Sequence, residues 1–181
     1  NIWLKPFNTV AWTAKVGVAN IITIKSTNKI LLPLFLTFRK KATMELGKLT
    51  IEQLNVLNKG TMMEQLEIEY LEVGEGRITA QMPVNEKTFQ PEGILHGGAN
   101  LALAETIAGL GSALLVDLNK FSVRGAQISA NHVGSTNKGY VLATGNIIHK
   151  GTNTHVWSID ITDDQNTLLS TCRITNIIVK K

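Results

Sequence analysis

An α+β domain, with one antiparallel sheet wrapped around a long central helix, is the fold class this sequence predicts. Three observations predict it. Residues 99–116 are almost entirely apolar and small, two strand-like stretches come before them, and four come after. A helix that is apolar all round should be buried on every side. The apolar face of an antiparallel sheet is the natural surface to cover it. With 181 residues, 44% hydrophobic and 18% charged, the chain suits one globular domain with a proper core.

The elements follow in order. Leu49–Leu57 carries apolar residues at helical spacing, with Thr50 as N-cap and Gln53 three residues on in capping-box style. Leu66–Val73 (LEIEYLEV) then alternates apolar residues with Glu, the pattern of a half-buried strand with an acidic solvated face. Gly74-Glu75-Gly76 supplies a turn, and Arg77–Val84 is the returning strand, with Pro83 pointing to an edge or a strand end. After the central helix and Asp117 come strands at Phe121–Val133, Gly139–His149, Thr154–Thr162 and Thr167–Val179. The cluster Asp163-Asp164-Gln165-Asn166 forms the last hairpin turn.

The formal charge of +4 conceals a division. Residues 1–43 hold seven Lys and Arg and no Asp or Glu, which leaves eleven basic and fourteen acidic residues for 44–181, a net charge of −3. The basic pI therefore belongs to the first quarter of the chain and does not argue for a nucleic-acid partner. Residues 1–43 lack periodicity, and their most apolar run, Ile30–Phe38, contains Pro33. That run is far short of the ~20 residues of a membrane span. The segment is expected to be an extension outside the fold, a leader, or an accessory element, with the domain running over 44–181. Cys172 excludes an internal disulfide framework and reads as a small buried hydrophobe. One cysteine and four scattered histidines give no metal site, and no P-loop or G-x-G-x-x-G string is present.

Within Ala99–Val116, Glu105 is the one charged residue. Burying a carboxylate among apolar side chains costs several kcal/mol unless it is paired, hydrogen-bonded or protonated. Ala or Leu would serve the helix at least as well. Glu105 is therefore expected to be a general base or nucleophile whose pKa is raised by apolar surroundings. Just upstream, Gln90-Pro91-Glu92-Gly93-Ile94-Leu95-His96-Gly97-Gly98 is a glycine-rich loop running into the helix start. Unpaired N–H groups and the positive dipole end there suit a developing oxyanion.

The string Gln90–Glu105 (QPEGILHGGANLALAE) resembles the active-site signature of the hotdog-fold acyl-CoA thioesterases, most of all the 1,4-dihydroxy-2-naphthoyl-CoA and 4-hydroxybenzoyl-CoA thioesterase branch. Ser129-Ala130-Asn131-His132 and His155-Val156-Trp157 add to the likeness, which covers about Met44 to Ile178. The resemblance implies hydrolysis of an acyl-CoA, aroyl-CoA favoured, with phenylacetyl-CoA and medium-chain acyl-CoA as further candidates. For the naphthoyl branch it also implies a place in menaquinone biosynthesis. It implies that Glu105 attacks the thioester carbonyl or activates water, that the Gly97 N–H polarises the carbonyl, and that His96 and Gln90 hold the thioester end. Gly125, His132, Val133, Gly134 and Ser135, with His149, Lys150, Gly151, Thr152, Asn153 and Thr154, fall where the family contacts CoA. No separate cofactor is implied, because CoA is part of the substrate. The resemblance further implies a cytoplasmic homo-oligomer, a dimer or a tetramer built as a dimer of dimers, with no membrane or nucleic-acid partner.

The sequence departs from the family pattern at two positions. Gly109 stands one turn after Glu105, where relatives carry Ser or Thr to orient water, leaving Thr106 or a backbone group for that task. Gly134 stands where relatives often carry an Arg for CoA phosphate, leaving Lys138 or Lys150 to supply charge. A non-catalytic acyl-CoA-binding module is the alternative that Gly109 keeps open. A 3-hydroxyacyl-thioester dehydratase is a further alternative, and the HGG-to-Glu spacing argues against it.

Overall fold

The computed structural model describes residues 12–15, 21–24 and 46–181. The chain divides into two compact units, Asn1–Lys41 and Ala42–Lys181. Of the first unit, the described part is an antiparallel pair of strands, β1 (Trp12–Lys15) and β2 (Ile21–Ile24), with Trp12 opposite Ile24. The other expectations for residues 1–43 lie outside the described residues. Among the described residues, no helix is long and apolar enough to cross a membrane.

The second unit opens with a 3-10 turn (Leu46–Lys48), helix α1 (Ile51–Leu57) and the short helix α2 (Met62–Gln65). Thr50 caps α1 as expected. Its hydroxyl accepts from the Gln53 N–H, and the Gln53 side chain accepts from the Thr50 N–H, which completes a capping box. The one-turn helix α2 has no counterpart in the sequence reading. It closes with Glu67 at φ 56, so the following strand starts later than the alternation of residues suggests.

Six strands form one antiparallel sheet: β3 (Glu69–Gly74), β4 (Arg77–Pro83), β5 (Phe121–His132), β6 (Tyr140–Lys150), β7 (Thr154–Asp163) and β8 (Leu168–Lys180). Their order across the sheet is β3-β4-β6-β7-β8-β5. β4 is an interior strand, and Pro83 sits at its end, where a missing N–H does no harm. β5 follows the central helix in sequence and lies at the far edge, paired with β8 on one side.

The central helix α3 (Gly97–Leu114) packs its sheet-facing stripe, including Leu103, Ala104, Ile107 and Ala108, out of all contact with water. Ile78, Ala80, Met82, Ile159 and Ile161 from β4 and β7 complete this core. The expectation of burial on every side is not met. Gly98 and Glu105 are exposed, while Ala102 and Gly109 are half-buried. The stripe through 98, 102, 105 and 109 lies along the open edge of the sheet, where Glu105 reaches only the last strand, at Gly125 of β5. Cys172 is buried, as expected, and burial pushes its thiol pKa up.

Candidate active site

The loop before α3 is pinched shut by its own backbone. Phe89 bridges Leu95, the Gln90 N–H donates to Ile94, and Gly93 turns the chain at φ 74 while donating to Gln90. The His96 N–H donates to the Thr88 carbonyl, and the Leu95 N–H donates to Thr136. These bonds hold the helix entry in place from two sides. The Gln90 side chain folds back onto the same loop, accepting from the Glu92 N–H at 2.7 Å.

His96 is the N-cap of α3. Its Nδ1 accepts from the Gly98 N–H at 2.8 Å, which leaves Nε2 to carry the proton of the neutral ring. The Ala99 N–H turns back to the His96 carbonyl. Among the described residues, the Gly97 N–H meets no acceptor. It is the open donor at the positive end of an 18-residue helix. A Cβ at Gly97 would fall 2.7 Å from His132 Nε2, so that exposed side chain borders the residue. The sequence reading assigned His132 to CoA. The structure also lays its ring against the helix start.

Glu105 lies two turns further along α3, and its setting corrects the sequence reading. The carboxylate is exposed in the single chain, so apolar burial does not act on it there. It leans instead on Gly125 of β5, where an added Cβ would fall 2.7 Å from Glu105 Oε1. A register shift between Gly125 and Gln127 marks a bulge at that point of the strand.

The remaining expected residues fall into two groups. His132, Val133, Gly134 and Ser135 are exposed at the end of β5. The ladder places His132 opposite Ser170, Ser170 opposite Ile161, and Ile161 opposite Ala143. His149–Thr154 forms the β6–β7 connection at the other end of the sheet, in line with Gly125 through the pairs Lys150–His155, His155–Asn176 and Asn176–Gly125. Seven residues of strand separate Gly125 from His132, about 23 Å at ~3.3 Å per residue. Eight residues of helix separate Gly97 from Glu105, about 12 Å at ~1.5 Å per residue. Within one chain the candidate residues thus form two groups, two candidate half-sites. Gly97, His96, Gln90 and His132–Ser135 cluster at one, while Glu105, Gly125 and His149–Thr154 cluster at the other. The contiguous segment Gln90–Glu105 does not close into one site within one chain.

Several details bear on the two departures. At Gly109 a Cβ would meet nothing within 4 Å among the described residues, so a larger side chain has room. The Thr106 hydroxyl donates to the Ala102 carbonyl at 2.7 Å, which occupies its proton. At Gly134 a Cβ would fall 2.9 Å from the Leu168 carbonyl oxygen, so an Arg there would force the backbone to move. Lys138 lies with the first half-site. Lys150 lies with the second, 4.0 Å from Glu75 and largely in solvent.

Sequence reasoning missed a buried polar junction behind Glu105, made by Ser112, Trp157 and Asn176. Trp157 Nε1 donates to Ser112 Oγ at 2.8 Å, and Asn176 Nδ2 lies 2.9 Å from both Ser112 Oγ and the Ala108 carbonyl. Its signal was available: Ser112 and Asn176 each interrupt an apolar pattern at a core-facing position.

A model of the thioesterase superfamily matches residues 92–170. The 1,4-dihydroxy-2-naphthoyl-CoA hydrolase of Escherichia coli is 37% identical over 132 residues, covering 73% of this chain and 96% of that protein. The hydrolase of the same name from Listeria monocytogenes is 41% identical over 120 residues, covering 66% of this chain and 97% of that protein. A crystal structure of a mutant thioesterase from Pseudomonas aeruginosa superposes with a TM-score of 0.72 at 34% identity. It covers 74% of this chain and 96% of that one.

Proposed function

The chain belongs to the thioesterase superfamily, with its hotdog fold, and is a thioester hydrolase; we propose that its substrate is an acyl-CoA, with aroyl-CoA thioesters such as 1,4-dihydroxy-2-naphthoyl-CoA favoured. The relatives named for that substrate support the choice of acyl group. The observation that carries the mechanism is the open Gly97 N–H at the start of α3. In this reading it donates to the thioester carbonyl oxygen and stabilises the charge that grows there in the transition state.

Glu105 supplies the second half of the chemistry. As nucleophile, it adds to the carbonyl carbon, expels CoA thiolate and leaves a mixed anhydride that water hydrolyses. As general base, it takes the proton of a water that attacks directly. His96 positions rather than deprotonates, because its Nδ1 is engaged by Gly98 and its Nε2 bears the proton.

The two half-sites meet when a second copy of the chain places its Glu105 beside the first copy's Gly97. Nucleophile and oxyanion donor must bracket one carbonyl, within about 6 Å of each other. The ~12 Å of helix between them in one chain is too far. The edge strand β5, twelve residues long with one side unpaired and much of it exposed, fits such a homo-oligomer, a dimer or a dimer of dimers. A cytoplasmic location, where CoA esters are made and consumed, belongs to the same proposal.

The test is release of free CoA by the full chain from benzoyl-CoA, 1,4-dihydroxy-2-naphthoyl-CoA, phenylacetyl-CoA and straight-chain acyl-CoA. Glu105→Ala is expected to lower turnover by about 10³-fold or more. Undiminished turnover in that variant overturns the assignment of Glu105.

A further inference from the structure

We propose that Asn176 and Ser112 are positioning residues that fix the pose of Glu105, a role that rests on the reading of Glu105 given above. The two residues are buried in the core, among the polar side chains it holds. Asn176 on β8 is 1% exposed and Ser112 on α3 is 0% exposed, while Trp157 on β7 covers them at 1%. Burying three polar groups is costly unless they satisfy one another, and here they do. Apolar side chains would fill the space without that requirement, so the polar choice calls for an explanation beyond packing.

The explanation lies in where the bonds attach. Glu105, Ala108 and Ser112 are spaced i, i+3 and i+7, which puts them on one stripe of α3. Residues seven apart differ by only ~20° in azimuth. The stripe leaves water between Glu105, which is exposed, and Ala108 and Ser112, which are fully buried. Asn176 grips the stripe just below that point, through the Ala108 carbonyl and Ser112 Oγ. Asn176 is also the β8 partner of Gly125, the residue on which the Glu105 carboxylate rests. A Cβ at Gly125 would meet Glu105 Oε1 at 2.7 Å and Asn176 Oδ1 at 4.0 Å, so both side chains flank that glycine on its helix side. One amide therefore sets the rotation and height of α3 against the strand that seats the carboxylate. A shift of ~1 Å at a reacting group is enough to cost ~10²-fold in rate.

The test compares Asn176→Ala, Ser112→Ala and the double variant with the parent protein, using CoA release from benzoyl-CoA. Each single variant is expected to lower kcat by about 10-fold or more while KM stays within about two-fold. The double variant is expected to be no worse than the poorer single one, because both remove the same grip. Asn58→Ala is the control. It removes a buried Asn side chain that donates to the Ile68 carbonyl, away from α3. It should lower the melting temperature and leave kcat within two-fold. If Asn176→Ala does not fold, Ser112→Ala carries the test. Variants at 112 and 176 that keep the parent kcat, with Glu105→Ala inactive, overturn this role alone. An active Glu105→Ala removes the reading on which it rests. A kcat loss in Asn58→Ala that tracks its stability loss reduces the effect to ordinary destabilisation and also overturns the proposal.

Discussion

Mixing two inactive variants should restore activity if each reaction centre is built from two chains. The two variants are Glu105→Ala and Gly97→Pro. Proline at the first helical position is compatible with α3, since its lost N–H has no intrahelical acceptor and His96 before it is extended at ψ 131. The substitution thus removes the proposed oxyanion donor while sparing the helix. Its ring must displace the side chain of His132, which lies at an exposed strand end and can move. Each variant alone has every centre broken. In a heterodimer, one centre combines both lesions and the other is intact. Random exchange at equal concentrations makes half the dimers mixed, each with one working centre of two, so about a quarter of parental activity should return. The assay is CoA release after co-refolding, repeated on heterodimers isolated with two different affinity tags, where about half of parental activity is expected. Isolated heterodimers that stay inactive would refute the geometry. They would mean that the ~12 Å along α3 is bridged within one chain after all.

Other perturbations test the packing around the same elements. Gly125→Ala should displace the Glu105 carboxylate, lowering kcat by about 10-fold or more, and the loss should shrink in a Glu105→Asp background, measured by steady-state kinetics. Gly111→Ala would put a Cβ 2.5 Å from Trp157 Cη2 and should destabilise the fold by about 1–3 kcal/mol in urea titration. Gly109→Ser fills open space and improves helix propensity, so the melting temperature should hold or rise slightly, with faster turnover if water handling limits the rate. Burial pushes the Tyr70 phenol up to about 12. The folded state therefore keeps its proton when the unfolded chain loses it. That contribution is complete below pH ~10 and is lost as pH rises from there towards ~12, about 2–3 kcal/mol in all. Tyr70→Phe should flatten this alkaline limb in denaturation curves taken across pH 9–12.

Local chemistry made most of the fold legible in the sequence. Thr50 and Gln53 announce the start of α1, the alternation in Leu66–Val73 places β3 to within a few residues, and Asp163–Asn166 marks the last turn. The helix entry at His96 and Gly97 was equally readable, because glycine, a capping side chain and an apolar run act over a few residues. Long-range geometry could not be read in this way. Nothing local says that β5 would cross to the far edge, beside β8. Nor does any local signal say that His132 would reach Gly97 while His149–Thr154 gathered at the other end. Distances between half-sites depend on strand order and helix rise, and neither is encoded in a window of ten residues.

Glu105 is set apart by its neighbour on β5 rather than by burial. Burial in an apolar helix would make its charge expensive. In the single chain the carboxylate is exposed, and an exposed Glu on a helix needs no special reason. The weight moves to Gly125. Glycine in a strand is unfavourable by about 0.5–1 kcal/mol relative to alanine, and an edge strand gains nothing from it unless something must come close. What comes close is the Glu105 carboxylate, the far end of a flexible side chain, which a Cβ at Gly125 would push aside. A backbone left bare beside one carboxylate fits the role proposed for Glu105. That role also explains why the helix leaves this stripe bare. In the proposed oligomer, Glu105, with room beside it at Gly109, faces a substrate held at the start of a second chain's α3.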